Sequence, residues 1–209
     1  GYGNKVGLDH KKARMQVQAL LGAEHESEII FTSCGTEADS TAILSACKAY
    51  PERKEIITTV VEHPAVLNLC NSLEKEGYKV HYLKFDRRGR LDLEEYRQLL
   101  FEGVAVVSVM WANNETGTLF PVQDMAQMAH AAGVLFHTDA VQAIGKIPMD
   151  LKHSEIDMLS LSGPKLHAPK GVGALYVRRG VRFRPLLRGA HQERGRRAGT
   201  ENTAGIVGL

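Results

Sequence analysis

Five short polar stretches each follow a run of apolar, branched or aromatic residues: Ser33 to Glu37 (SCGTE), Glu62 to Ala65 (EHPA), Ala112 to Gly117 (ANNETG), Asp139 to Gln142 (DAVQ) and Ser162 to Lys165 (SGPK). Turn formation and solubility do not by themselves explain these residue types. A glycine turn at Gly35, with a hydroxyl at Thr36 opening a helix, is a ready anion site, because free amides and the helix dipole point at the loop. Capping of that helix by Ser33 or Thr36 is the simpler use of the same residues. Neither GxxxxGK[ST] nor GxGxxG occurs, so nucleotide loops are not indicated. His63, before Pro64, could stack on an aromatic ligand or shuttle protons, or be a hydrogen-bonded loop histidine.

Asp139 closes a buried-looking strand, where a carboxylate needs a cationic or hydrogen-bonding partner to stay ionised. A protonated heterocyclic nitrogen is one such partner; a helix cap over the 141–142 amides is another. Gln142 follows three residues on. Of two nearby lysines, Lys165 ends the strand 158–162 on the same rim as Asp139 and Thr36, whereas Lys170 sits in a Pro-Lys-Gly turn that favours a solvated charge. Partial burial and neighbouring cations let a lysine lose its proton and form a Schiff base, which points to Lys165. The stretch 184–202 mixes arginine, glycine and hydroxyl donors, with Gly199-Thr200 leading into a helical pattern. Without interleaved aromatics it fits a compact phosphate or carboxylate contact, possible across a subunit interface, better than nucleic acid. Together, a phosphate turn, a stacking histidine, a carboxylate for a ring nitrogen and a lysine on one rim are what a pyridoxal phosphate site requires.

The elements that must position these groups alternate along the chain. Strand patterns fall at 28–32, 55–61, 78–83, 104–111, 134–138, 158–162 and 173–178. Helical patterns fall at 10–21, 37–50, 64–76 and 122–132, with a further helix opening at a capping box, Asp92 with Glu95. Strands apolar almost throughout, separated by helices, predict an α/β fold: a mainly parallel sheet with helices on both faces, binding ligands beyond the carboxyl ends of its strands.

The 209 residues, 44% hydrophobic with a formal charge of +2, can bury one large core and offer neither a basic stripe for nucleic acid nor an acidic tail. Cys34, Cys47 and Cys70 have neither the count nor the spacing of a disulfide framework or a zinc site, so no metal is expected and a reducing cytoplasm is the default. No apolar stretch reaches the roughly 18 residues of a membrane span. The chain opens on glycine and closes in an unpunctuated helical pattern, so it is expected to be a piece of a longer protein.

Six ordered blocks, TSCGTEADS, EHPAVL, WANNETGT, HTDAVQAIGK, KLHAPKGVGALYVRRG and HQERGRRAGTEN, resemble those of the cysteine desulfurases, most closely the nitrogen-fixation type. The resemblance implies a homodimeric fold-type I pyridoxal phosphate enzyme of the class V aminotransferase group. Residues 1–209 would be part of its large domain, with an N-terminal segment and a C-terminal small domain outside the chain. Such enzymes convert L-cysteine to L-alanine and pass sulfur, as a cysteine persulfide, to iron–sulfur scaffold proteins. By position, Lys165 would hold the cofactor through a Schiff base and move protons, Asp139 pair with the ring nitrogen, Gln142 with the ring oxygen, and His63 stack on the ring. Gly35, Thr36 and Ser162 would bind the phosphate with Thr200 of the partner subunit, and Asn114 would lie near cofactor and substrate. The persulfide cysteine and an arginine for the substrate carboxylate would lie beyond Leu209. Two departures stand out: Pro164 where the family usually has a phosphate-binding histidine, and Ala190 where it has glycine, a strain if that position needs positive φ. Alternatives are a selenocysteine lyase or other class V enzyme, and a cofactor-poor paralogue that only docks on sulfur-transfer partners.

Overall fold

A computed structural model describes residues 2–209. One seven-stranded sheet runs β1 (Ile29–Thr32), β7 (Gly173–Val177), β6 (Met158–Ser162), β5 (Leu135–Asp139), β4 (Val104–Ser108), β2 (Glu55–Thr59), β3 (Lys79–Leu83). Pairings among β6, β5, β4, β2 and β3 are parallel, and β7 alone runs against its neighbours β6 and β1. The ten residues between β6 and β7 are too few for a parallel crossover, which needs about a dozen or more, so the chain reverses.

Alternation along the strands feeds two cores. Ile30, Ile56, Val106, Met158 and Leu175 pack with Ala42, Ile43 and Ala46 of α2 (Gly35–Ala49) and Val66, Cys70 and Leu73 of α3 (Pro64–Lys75). Phe31, Ile57, Val107, Leu159 and Tyr176 face the opposite layer. It contains Ala13 and Val17 of α1 (Tyr2–Leu21), Tyr96 of α4 (Leu93–Leu99), Met125 and Ala129 of α5 (Val122–Ala131), and Ile206 of α6 (Thr203–Gly208). This is the predicted sheet with helices on both faces.

The differences from expectation are local. Helix α1 starts eight residues before the predicted position 10, because residues 3–8 are exposed and carry no apolar stripe to read. At α4 the Asp92 carboxylate accepts from the amides of Glu94 and Glu95, each at 3.0 Å, but Glu95 does not return the second bond of a capping box. Strand β4 ends at Ser108 rather than 111. Beyond it the chain keeps single bonds to β5, Val109 N–H to His137 O at 3.1 Å and Trp111 N–H to Asp139 O at 2.9 Å, which carry it over the rim towards Asn114.

Candidate active site

A cavity of about 180 Å³ opens at the carboxyl ends of the parallel strands. Eight of the nine predicted site residues line it: Gly35, Thr36, His63, Asn114, Asp139, Gln142, Ser162 and Lys165. Thr200 lies instead on a neighbouring cavity with Thr32, Ser33 and Arg197, so a single chain does not bring it to the others.

One end of the cavity is the first turn of α2. Its cap is Cys34, not Ser33 or Thr36: Cys34 Sγ accepts the Glu37 amide at 3.5 Å. The Gly35 and Thr36 amides belong to the first turn, which has no intrahelical acceptors, and no side chain caps them. A Cβ on Gly35 would meet Val141 Cγ2 at 3.2 Å and Ser162 Cβ at 3.3 Å, so glycine keeps this turn against the β5 and β6 loops. Arg197 pairs with Glu37 at 2.9 Å, tying the 184–202 segment to α2.

Other residues of that basic run also bond within the chain, while Arg184 and Arg188 are exposed. Arg194 pairs with Glu26 at 2.8 Å, and Arg196 donates to Ser27 O at 2.7 Å. Buried Glu193 accepts from Arg14 Nη2 and from the Phe31 amide, both at 2.6 Å. Backbone strain sits at Glu193 (φ 49) and Arg194 (φ 58), and not at Ala190, which lies outside the left-handed region.

His63 caps α3. Its Nδ1 accepts the Ala65 amide at 3.1 Å, which places the proton of the neutral ring on Nε2. The capped ring also lines the cavity, so capping α3 leaves it on the wall of the site. Asn114 is presented by an Asx turn in which Asn113 Oδ1 accepts the amides of Glu115 and Thr116 at 2.9 and 3.0 Å. Asp139 Oδ1 accepts the Val141 amide at 3.0 Å; residues 141–146 form turns, so it caps no helix and makes no bond to the 142 amide.

Lys165 and Lys170 are both exposed, so the partial burial expected of Lys165 is not what separates them. Position does: Lys165 lines the cavity and Lys170 does not. Lys165 sits in a 3₁₀ turn, Gly163–Leu166, whose first residue must be glycine, because a Cβ there would lie 2.8 Å from Val172 O. Pro164 occupies that turn's start as an exposed residue, a position proline tolerates.

Beneath the cavity lies a buried polar layer that pattern reading passed over. Asp39 of α2 is 1% exposed, and its Oδ1 has no hydrogen-bond partner among the described residues. Burial, then the charge of Asp139, holds its carboxyl well above the usual range. Burial also raises Asp139, opposed by the Val141 amide, by Asp39 and by His63. Burial pushes Glu62 up to about 8, although Oε1 accepts the Met110 amide at 2.8 Å and Oε2 bonds Thr59 Oγ1 at 2.6 Å. His137, wholly buried between Ser108 Oγ and Ser160 Oγ, each at 2.8 Å, is pushed down to about 3 and is neutral.

Glu62 gives this layer a pH signature. In the unfolded chain its carboxyl ionises near 4.5, but in the folded chain only near 8. Its stabilising contribution is therefore complete below 4.5 and is lost as pH rises towards 8, by of order 5 kcal/mol. Denaturant midpoints of the cofactor-free full chain should fall over that window, and Glu62→Gln should flatten the fall; an equal slope in the variant would contradict the assignment.

A family model described as aminotransferase class-V matches residues 2–209. The chain is 73% identical over 208 residues to a cysteine desulfurase NifS of Azotobacter vinelandii, and 66% identical over 209 residues to a cysteine desulfurase of Gluconacetobacter diazotrophicus. Each alignment covers 100% of this chain and 52% of the relative, so the chain spans about half the length of the curated relatives it matches. Among solved structures, a NifS-like protein aligns with a TM-score of 0.95 at 46% identity, over 100% of this chain and 57% of that one. A structure described as SspA in complex with cysteine aligns with a TM-score of 0.93 at 38% identity, over 99% of this chain and 60% of that one.

Proposed function

Because this chain belongs to the aminotransferase class-V family, we propose that it forms the large, cofactor-binding domain of a pyridoxal phosphate-dependent cysteine desulfurase of the nitrogen-fixation type. The reaction would convert L-cysteine to L-alanine and leave the sulfur as a persulfide for an iron–sulfur scaffold protein. The observation that carries the reading is the convergence of Lys165, Asp139, His63 and the Gly35-Thr36 turn on one cavity. The high identity to relatives named cysteine desulfurases supports the reaction.

The residues fit the cofactor. At one end the uncapped amides of Gly35 and Thr36, with the hydroxyls of Thr36 and Ser162, form an anion cradle. At the floor a buried carboxylate, Asp139, lacks a cation, and a protonated ring nitrogen would supply it. Bound there, pyridoxal phosphate would supply an electron sink for the substrate. Asp139 would hold a negative charge against the ring nitrogen. His63, its Nδ1 committed to Ala65, offers a ring face and the Nε2 proton. Gln142 offers an amide to the ring oxygen, and Asn114 a polar contact at the cavity mouth. Lys165 would bind the cofactor covalently and carry protons to and from the substrate. In this reading the Thr200 hydroxyl reaches the phosphate of the partner subunit in a homodimer.

Net transfer balances as cysteine plus an enzyme thiol giving alanine plus an enzyme persulfide. Cys47 and Cys70 are poor candidates for that thiol, because burial pushes them up to about 11 and about 12. Cys34 is committed as the α2 cap. This agrees with the resemblance to the cysteine desulfurases, which implies a persulfide cysteine beyond Leu209. No helix among the described residues is long and apolar enough to cross a membrane, and three free thiols suit the cytoplasmic location we assign.

Two results test the reading. With pyridoxal phosphate, a thiol and L-cysteine, the full chain should form alanine and sulfide in equal amounts; selenide release from selenocysteine without sulfide release from cysteine would instead make it a selenocysteine lyase. Pro164→His would restore a charge-assisted bond to the phosphate, so it should tighten cofactor binding by about tenfold. An unchanged Kd would show that the phosphate does not depend on that position.

A further inference from the structure

Three carboxyls, Asp39, Asp139 and Glu62, meet beneath the cavity, each at most 6% exposed. Like charges this close and this dry cannot all ionise. Among the described residues no lysine or arginine pairs with Asp39. The group that faces it from β5 is His137, whose Nε2 is 3.5 Å from Asp39 Oδ1, and that ring is neutral and already held between two serines. From β6 it meets Ser160, from the end of β5 Asp139, and from the β2 loop Glu62, itself pushed up to about 8. Asp139 differs from the other two. It keeps a fixed amide donor in Val141 and sits under His63, both of which favour its charged form.

The two aspartates line the same cavity, Asp139 with its fixed Val141 donor and Asp39 with an oxygen that has no partner among the described residues. An un-ionised carboxyl can donate where an ionised one accepts, so a single proton held on Asp39 suits both environments. We propose that Asp39 keeps its proton and donates it to Asp139, as the positioning residue that leaves Asp139 the one ionised carboxyl on the cavity floor. Asp39 sits on α2, four residues after Gly35 and so on the same face of the helix, which ties the orientation of the ring-nitrogen carboxylate to the helix that cradles the anion. Without that donor, burial would drive Asp139 itself to take up the proton, and its charge would be lost to the ring. The inference rests on the assignment of Asp139 as ring partner.

The test uses the full chain with carbon-13 in its aspartyl carboxyls, read by difference infrared spectroscopy. Labelling only aspartates leaves Glu62 silent, and working at about pH 7.5 leaves Asp157, pushed up to about 6, ionised. Without cofactor, the carbonyl band of an un-ionised acid should be present, vanish in Asp39→Asn, and titrate at lower pH in Asp139→Asn. Absence of the band, or its persistence in Asp39→Asn, would overturn the proposal. With pyridoxal phosphate bound, the pH at which its visible absorption changes should move by about one unit or more in Asp39→Ala. In Asp39→Asn, where the amide still donates, it should stay near the wild-type value. Equal midpoints in all three proteins would also overturn the positioning role. If the wild-type chain acquires no cofactor absorption at all, the cofactor reading fails, while the infrared result still decides where the proton resides.

Discussion

Lys165→Ala in the full chain is expected to abolish covalent capture of pyridoxal phosphate and to lower turnover of L-cysteine by about 10⁴-fold, the upper end for loss of a proton-transferring side chain. Among the described residues Lys165 is the single lysine on the cavity wall. Its 3₁₀ turn is anchored by the close approach of Gly163 to Val172, which fixes where the side chain starts. The nearest substitute, Lys170, lies five residues on beyond the turn that ends at left-handed His167 (φ 62) and does not line the cavity. Lys170→Ala should therefore capture cofactor as the wild type does. Absorption spectra and initial rates of the two variants decide the matter, and residual covalent capture in Lys165→Ala would contradict the assignment.

Asp139→Asn should separate binding from chemistry. The cradle at Gly35, Thr36 and Ser162 is untouched, so the cofactor should still bind, but an amide cannot hold a proton on the ring nitrogen. Removing one member of a buried, hydrogen-bonded charge pair costs about 2–5 kcal/mol, or roughly 30- to 5,000-fold in rate where the charge acts in the transition state. The amide also removes the charge that, after burial, raises Asp39 most. Rates and cofactor Kd measured together should show kcat falling by that factor with Kd changed much less. A proportional loss of both would mean that Asp139 serves binding alone.

The rim of the sheet was legible because its residues announce themselves: Asp139, Lys165 and the Gly35-Thr36 turn each follow an apolar strand, and polar groups there need a reason. What lies under the rim was less legible. Asp39 sits on the stripe Asp39, Ile43, Ala46 of α2, which faces the sheet, so a carboxyl on an apolar helical face was available as a signal. It was hidden by the expectation that site residues lie on loops. His137 and Ser160 are strand interiors, where a polar residue between branched neighbours reads as a core position until its partners are known. The 184–202 arginines were less legible for the converse reason. Composition shows their charge, but only the fold shows that Arg194 and Arg197 are paired, with Glu26 and Glu37. Ala190 illustrates the same limit, since its backbone proved ordinary and the strain fell three residues later.

The central claim is that one cavity on the sheet rim binds pyridoxal phosphate through Lys165. Borohydride reduction of the full chain loaded with pyridoxal phosphate, followed by peptide mapping, tests it most directly. The account predicts a single phosphopyridoxyl label on Lys165. A label on Lys170, or no label on the chain, would contradict it.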